Sequence, residues 1–321
     1  MSADVVEAGS TGRLPPGMAL GIAAGLGAGA FWGTTFVAPL VAPGFTSVDY
    51  TAGRFIACGL FSLLWMLWET ARTAPDRRAG LWPNAAQARA ALWLSVLGYT
   101  GYYLLLVYGI ADAGAALPAL IIGTLPVWMM LLGKPDHLRW AALLPGLVLT
   151  AAGMALMMDA TAHEVDAFGA GHFWRGVLFA VGAMLSWLAF GMLNARWIRR
   201  HPEVKSTAWA NWLGLAAGLG GLLLWLGWGT AWHELIERPG FATFVFVCVF
   251  TGIGSAWVAS VMWNVASRRL STSLAGQLVV SETVFALVFA FAWSGDWPAT
   301  AQLLACVLFV AGILASIKAH Q

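Results

Sequence analysis

Apolar residues fill this chain in blocks of about 20, the length a helix needs to cross the hydrocarbon core of a bilayer. The blocks recur ten times, at 18–39, 48–68, 90–110, 113–133, 140–158, 174–193, 207–229, 241–263, 272–292 and 300–317. The stretch from Gly98 to Leu132 is the most informative. It reads as two such spans joined by a short turn, with Tyr99, Tyr102 and Tyr103 in the first and Pro118 and Pro126 interrupting the second. A proline-bearing helix in lipid needs neighbouring helices or a water-filled cavity to satisfy the carbonyls it frees, so this hairpin is expected to line something. A related hairpin follows about 155 residues later.

Composition agrees with the pattern. Sixty per cent of the 321 residues are hydrophobic and 10% charged, against about 25% charged in ordinary soluble domains. Nineteen tryptophans and 37 glycines suit interfacial anchoring and close helix approach. Cys58, Cys248 and Cys306 each stand alone in an apolar run, without disulfide or metal spacing, and read as packing residues. Residues 1–17 are polar, and no cleavage signature follows the first apolar block, so that helix is expected to be retained.

The distribution of charge sets the orientation. With the N-terminus inside, 14 of the 17 Lys and Arg fall on inner segments: Arg13; Arg72, Arg77, Arg78 and Arg89; Lys134 and Arg139; Arg196, Arg199, Arg200 and Lys205; Arg268 and Arg269; and Lys318. Arg175 and Arg238 lie outside, and Arg54 falls within the second span. The positive-inside rule then places both termini in the cytoplasm.

An internal repeat is also legible. GAGAFWGTTF from Gly27 aligns with GAMLSWLAFG from Gly182, which superposes Trp32 on Trp187 at an offset of 155, and the same offset puts Ala111 on Ala266. Five spans per unit is an odd number, so the second copy enters the membrane inverted, as in many secondary transporters. The organisation expected is a tail at 1–17, a five-helix unit at 18–158, an outer connection at 159–173 and a second five-helix unit at 174–321.

Trp32-Gly33, Arg54-Phe55 and the stretch from Val280, VSETVFALVFAFAWSGDWPATAQLLACVLFVAGILAS, resemble the drug/metabolite transporter (DMT) superfamily, in its EamA-type branch of ten-helix carriers. That branch usually has proline after the glutamate, where this chain has Thr283 after Glu282; the first repeat has Pro126 with Leu125 at the glutamate position. Within the superfamily, the tryptophan-rich, tyrosine-lined chain is most similar to YddG-type exporters of aromatic amino acids. The resemblance implies an all-α inner-membrane carrier without an ATPase subunit. It implies a central cavity built from spans 1, 3, 4, 6, 8 and 9, with spans 5 and 10 peripheral.

Candidate site residues come from the spans themselves. Tyr99, Tyr102 and Tyr103 share one helical face. That face reads either as an aromatic wall for a substrate ring or ammonium or as hydrogen bonding between helices in a dry core. Gly21, Gly25 and Gly29 read as a packing seam that ends at Trp32, and Trp32 with its mate Trp187 and the central Trp257 are site candidates. Ser273, Gln277 and Ser281 make a polar stripe in the ninth span, with Glu282 about 100° round the helix. Glu282 and Arg54 are the acid and the base placed in the membrane, and such groups are functional hypotheses by default. Glu282 suits a substrate ammonium or a coupling proton, and Arg54 a carboxylate. The alternatives are that the two pair with each other, or that Arg54 snorkels to the outer interface.

His233-Glu234-Leu235-Ile236-Glu237 and His163-Glu164-Val165-Asp166-Ala167 lack the second histidine of a zinc HExxH, and there is no Walker A sequence. Neither an enzyme nor a nucleic-acid binder is expected, and no cofactor or metal. The expected function is a secondary transporter exporting aromatic and other amino acids by alternating access, as a monomer or homodimer in the lipid bilayer. The alternatives are a DMT exporter of other metabolites or of lipophilic cations and, from another class, a channel or membrane sensor.

Overall fold

The apolar blocks fold as helices, and the polar residues between them set where each one starts. A computed structural model of the protein describes residues 17–113, 121–133, 135–136, 138–161, 170–295 and 300–320. Pro118, Lys134, Arg13, the His163 motif and the tail at 1–16 lie outside the described residues. The chain is an all-α, ten-helix membrane protein of two inverted five-helix repeats, with both termini cytoplasmic.

Helix α1 is Met18–Val41 and α2 is Ser47–Arg72. Helix α3 runs from Ala85–Ser95 through a π-helical turn at Val96–Thr100 into Gly101–Ala113. Helix α4 is described over Ile121–Leu132, α5 is Trp140–Thr161, α6 is Ala170–Arg200 and α7 is Ser206–Trp228. Helix α8 runs from Phe241–Thr251 through a second π-helical segment at Gly252–Val258 into Ala259–Arg269. Helix α9 is Thr272–Ser294 and α10 is Thr300–Ala319. Helices α2, α3, α6 and α8 run a turn or more past the sequence-derived ends. Helix α6 goes furthest, because Asn194 is buried within the bundle and the helix continues to Arg200.

Two capping boxes act as start signals. Thr46 with Asp49 opens α2, and Asn84 with Gln87 opens α3, each side chain meeting a backbone N–H that the helix leaves without an internal partner. Asp49 does more than cap. It is 2% exposed, and it accepts hydrogen bonds from the N–H and hydroxyl of Thr230 at 2.8 and 2.7 Å as well as from Thr46. Thr230 in turn accepts from the Trp225 indole at 3.0 Å, so the outer ends of α2 and α7 are tied through one carboxylate. Asp49→Ala strips those donors of their acceptor at a cost of about 2 kcal/mol. The expected result is an apparent melting temperature in detergent lower by roughly 5 °C; an unchanged midpoint would deny the tie.

Glycines set the pairing of the helices. Gly59 of α2 stacks on Gly218 of α7 with backbone against backbone. Along α1, Gly25 lies on Leu278, Gly29 on Ser281, and Gly33 on Phe285 and Ala286, so the expected seam is a run of α1 against α9, with Gly21 on Leu270 just before that helix begins. Helix α3 packs on α6 through Gly109, and α5 packs on α10 through Gly146 and Gly153. Cys58 and Cys248 are buried, and Cys306 is half-buried.

Candidate functional site

The aromatic residues of five helices join in the interior. Trp32 lies with its ring centroid 6.1 Å from Trp187 and 5.4 Å from Trp263, and Trp187 lies 6.2 Å from Trp263. Phe190 links this trio to Tyr99 at 5.7 Å, and Phe55 links Tyr99 to Tyr103, which is 6.1 Å from Tyr102. The result is a continuous aromatic surface contributed by α1, α2, α3, α6 and α8.

Sequence-based symmetry among the tyrosines is broken by the π turn. Helical geometry at 100° per residue puts all three on one face, but Tyr99 sits in the widened turn at Val96–Thr100. It is 7% exposed and shares a 2.5 Å hydrogen bond with Ser260 of α8. Tyr102 and Tyr103 remain half-buried. Single π turns of this kind recur at functional sites.

Arg54 points inward. Its guanidinium donates to Ser255 at 3.1 Å and lies 5.1 Å from the Phe55 ring centroid and 5.5 Å from that of Tyr103. Snorkelling to the outer interface is therefore not what it does, because Ser255, in the π segment of α8, supplies an acceptor within the protein. Its Nε is buried without a partner among the described residues. Glu282 is half-buried and makes no ion pair among the described residues. The direct Arg54–Glu282 pair is thus absent among the described residues.

Three other candidates lie elsewhere. Gln277 donates to Thr150 of α5 at 2.8 Å and is fully buried, so it joins α9 to the peripheral pair. Ser281 bonds the carbonyl of Leu278 at 2.7 Å and faces Gly29 of α1, one residue away from the Glu282 face. Trp257 donates to Asn211 of α7 at 2.6 Å and packs on Phe61 and Trp65, away from the tryptophan trio. Trp263 was the residue to add. It is 2% exposed with its indole nitrogen unpartnered among the described residues, and its place at the centre has no local sequence signal beyond its being a mid-bundle tryptophan.

Burial is lopsided along the membrane normal. On α9 every residue from Ser273 to Ser281 is buried, whereas Glu282 to Phe285 are half-buried; on α4, Ile121 to Thr124 are half-buried and Leu125, Pro126, Met129 and Met130 are buried. On α3 Tyr102 to Val107 are all half-buried. The inner end is closed further by Asn194, which donates to Asn264 at 3.3 Å and accepts from Trp209 at 2.7 Å. There Arg199 donates to the Ser267 carbonyl at 3.3 Å, and Arg268 donates to the carbonyls of Ile198 and Val204. Among the described residues the bundle is more closely packed at its inner end than at its outer end.

At the outer rim Asp112 receives two hydrogen bonds from Arg175, at 2.6 and 2.7 Å, joining α3 to α6. Those bonds hold the Asp112 carboxyl below the usual carboxylate range, so the pair stays ionised.

The EamA-like transporter family model matches the chain twice, over residues 19–159 and 174–317. Inner membrane protein YtfF of Escherichia coli K12 is 30% identical over 317 residues, covering 94% of this chain and 96% of its own length. A solved crystal structure, 19% identical, superposes with a TM-score of 0.70 over 95% of this chain and 98% of its own; at that identity it speaks for the fold.

Proposed function

The chain belongs to the EamA-like transporter family, and from that membership we propose that it is a secondary carrier exporting amino acids, aromatic ones above all, by alternating access. The observation that carries the reading is the pair of unlike charges in the membrane interior that do not neutralise each other. Arg54 keeps donors free beyond Ser255, and Glu282 is half-buried without an ion-pair partner among the described residues. A zwitterion matches that arrangement, its carboxylate on Arg54 and its ammonium on Glu282. Its side chain then lies against Tyr102, Tyr103, Trp32 and Trp187, where aromatic faces also suit an ammonium. Tyr99, Gln277, Ser281 and Trp257 support this site through packing and hydrogen bonds rather than by touching the substrate.

Counterflow of labelled phenylalanine into proteoliposomes preloaded with unlabelled phenylalanine tests the reading. A transient overshoot is expected and also separates a saturable carrier from a channel. No flux above empty liposomes, from protein shown to be folded, removes amino acids from the reading and leaves the family standing. A second reading, export of lipophilic cations, is favoured by the half-buried Glu282, which has no ion-pair partner among the described residues. Such a substrate needs Glu282 and the rings but not Arg54.

A further inference from the structure

Two glycine contacts reveal how the inverted repeats correspond residue by residue. Gly27 of α1 lies against Met262 of α8, and Gly182 of α6 lies against Leu105 of α3. The two glycines are 155 positions apart and their partners 157 apart, so the third helices of the repeats align two residues away from the Ala111–Ala266 match that sequence suggested. The π-helical segments agree: moved by 157, Val96–Thr100 falls inside Gly252–Val258. Moved the same way, Leu125 falls on Glu282, the pairing already visible in sequence.

In this register the mate of Trp263 is Leu106. The two occupy opposite environments. Trp263, on the inner side, is 2% exposed and packs on Trp32 and Trp187, which are themselves repeat mates. Leu106, on the outer side, is half-buried among the half-buried residues Tyr102 to Val107. Exchanging the conformations of the two repeats exchanges the more and the less closely packed ends, and it carries Leu106 onto Trp187 and Trp32 while Trp263 leaves them.

We propose that Trp263 and Leu106 are the paired gating residues of this carrier, closing in turn the inner and the outer end of the path against the same two tryptophans. Trp263 stabilises the outward-open state and Leu106 the inward-open one. The apolar contact each makes exists in one state only, so removing it biases the equilibrium toward the other. The proposal does not depend on amino acids being the substrate.

The test uses no substrate. In a background lacking Cys58, Cys248 and Cys306, two single-cysteine reporters are labelled with a membrane-impermeant maleimide. Thr35→Cys lies one turn outward of Trp32 at a half-buried position. Ser267→Cys lies one turn inward of Trp263 at a buried position whose hydroxyl has no partner among the described residues. The parent is expected to label at Thr35→Cys from outside and to protect Ser267→Cys from the cytoplasmic side. Adding Trp263→Ala slows the first and exposes the second, each by about tenfold or more. Adding Leu106→Ala acts in reverse, leaving Thr35→Cys at least as reactive as in the parent and Ser267→Cys protected. Should Trp263→Ala not fold, Trp263→Leu, which installs its mate's side chain, must shift both rates in the same sense by less. Two variants that move the rates in the same direction, as general loosening does, overturn the proposal, as does continued protection of Ser267→Cys in the Trp263 variants.

Discussion

Arg54→Ala is expected to abolish phenylalanine counterflow, by roughly 100-fold or about 3 kcal/mol, the loss typical when one partner of a desolvated charged contact is removed. The fold should survive. Ser255, the residue Arg54 bonds, also donates to the Thr251 carbonyl at 2.7 Å, so its hydroxyl is not orphaned by the change. The same variant discriminates the two substrate classes, because a lipophilic cation such as tetraphenylphosphonium has no carboxylate to lose and its transport should persist. Equal loss of both would point instead to a structural role for Arg54. Glu282→Gln removes the carboxylate with little change of shape and is expected to reduce both substrates and to flatten the dependence of flux on an imposed proton gradient. Unchanged flux with unchanged pH dependence would remove Glu282 from both the binding and the coupling role.

Gly59→Val and Gly218→Val are expected to prevent assembly of the bundle. A Cβ on Gly59 stands 2.6 Å from the Gly218 Cα and 3.2 Å from the Gly214 carbonyl; on Gly218 it stands 2.6 Å from the Gly59 Cα and 3.2 Å from the Phe55 carbonyl. All four obstacles are backbone, which cannot rotate aside, so α2 and α7 must separate along their length. The loss of close packing should cost about 4 kcal/mol or more, at the upper end for a point substitution. Size-exclusion chromatography in mild detergent should show aggregate in place of a single peak. Gly227 of the same helix has open space around its Cβ position, and Gly227→Ala is the matched control, expected to elute as the parent does. A normal peak from Gly218→Val would mean that α2 and α7 do not meet there.

Much of the candidate site was visible in the chain, but not its partners. Trp32, Trp187, Tyr102, Tyr103, Arg54 and Glu282 were legible because indoles, phenols and charges in mid-span have few other uses. Trp257 and Gln277 looked equivalent to them in sequence. They differ only in that Asn211 and Thr150, each more than 40 residues away, claim their polar atoms. Trp263 was passed over for the converse reason, since what makes it central is its packing on α1 and α6. The repeat register failed by two residues in the third helix because low identity let one alanine pair pass for a match.

Sequence alone determined that this chain lies in a membrane, with ten helices, inverted halves and both ends in the cytoplasm. The physical reason is that lipid offers no hydrogen bonds to the backbone, so apolar length compels helix and the sorting of arginine and lysine compels orientation. Tertiary structure decided the rest: that Arg54 turns to Ser255, that Tyr99, in a π turn, is buried against Ser260 while Tyr102 stays half-buried, and that the inner end is the more closely packed. Those outcomes depend on which helix face meets which, and inside a bundle whose helices are apolar on nearly every side the pattern of hydrophobic residues does not distinguish one face from another.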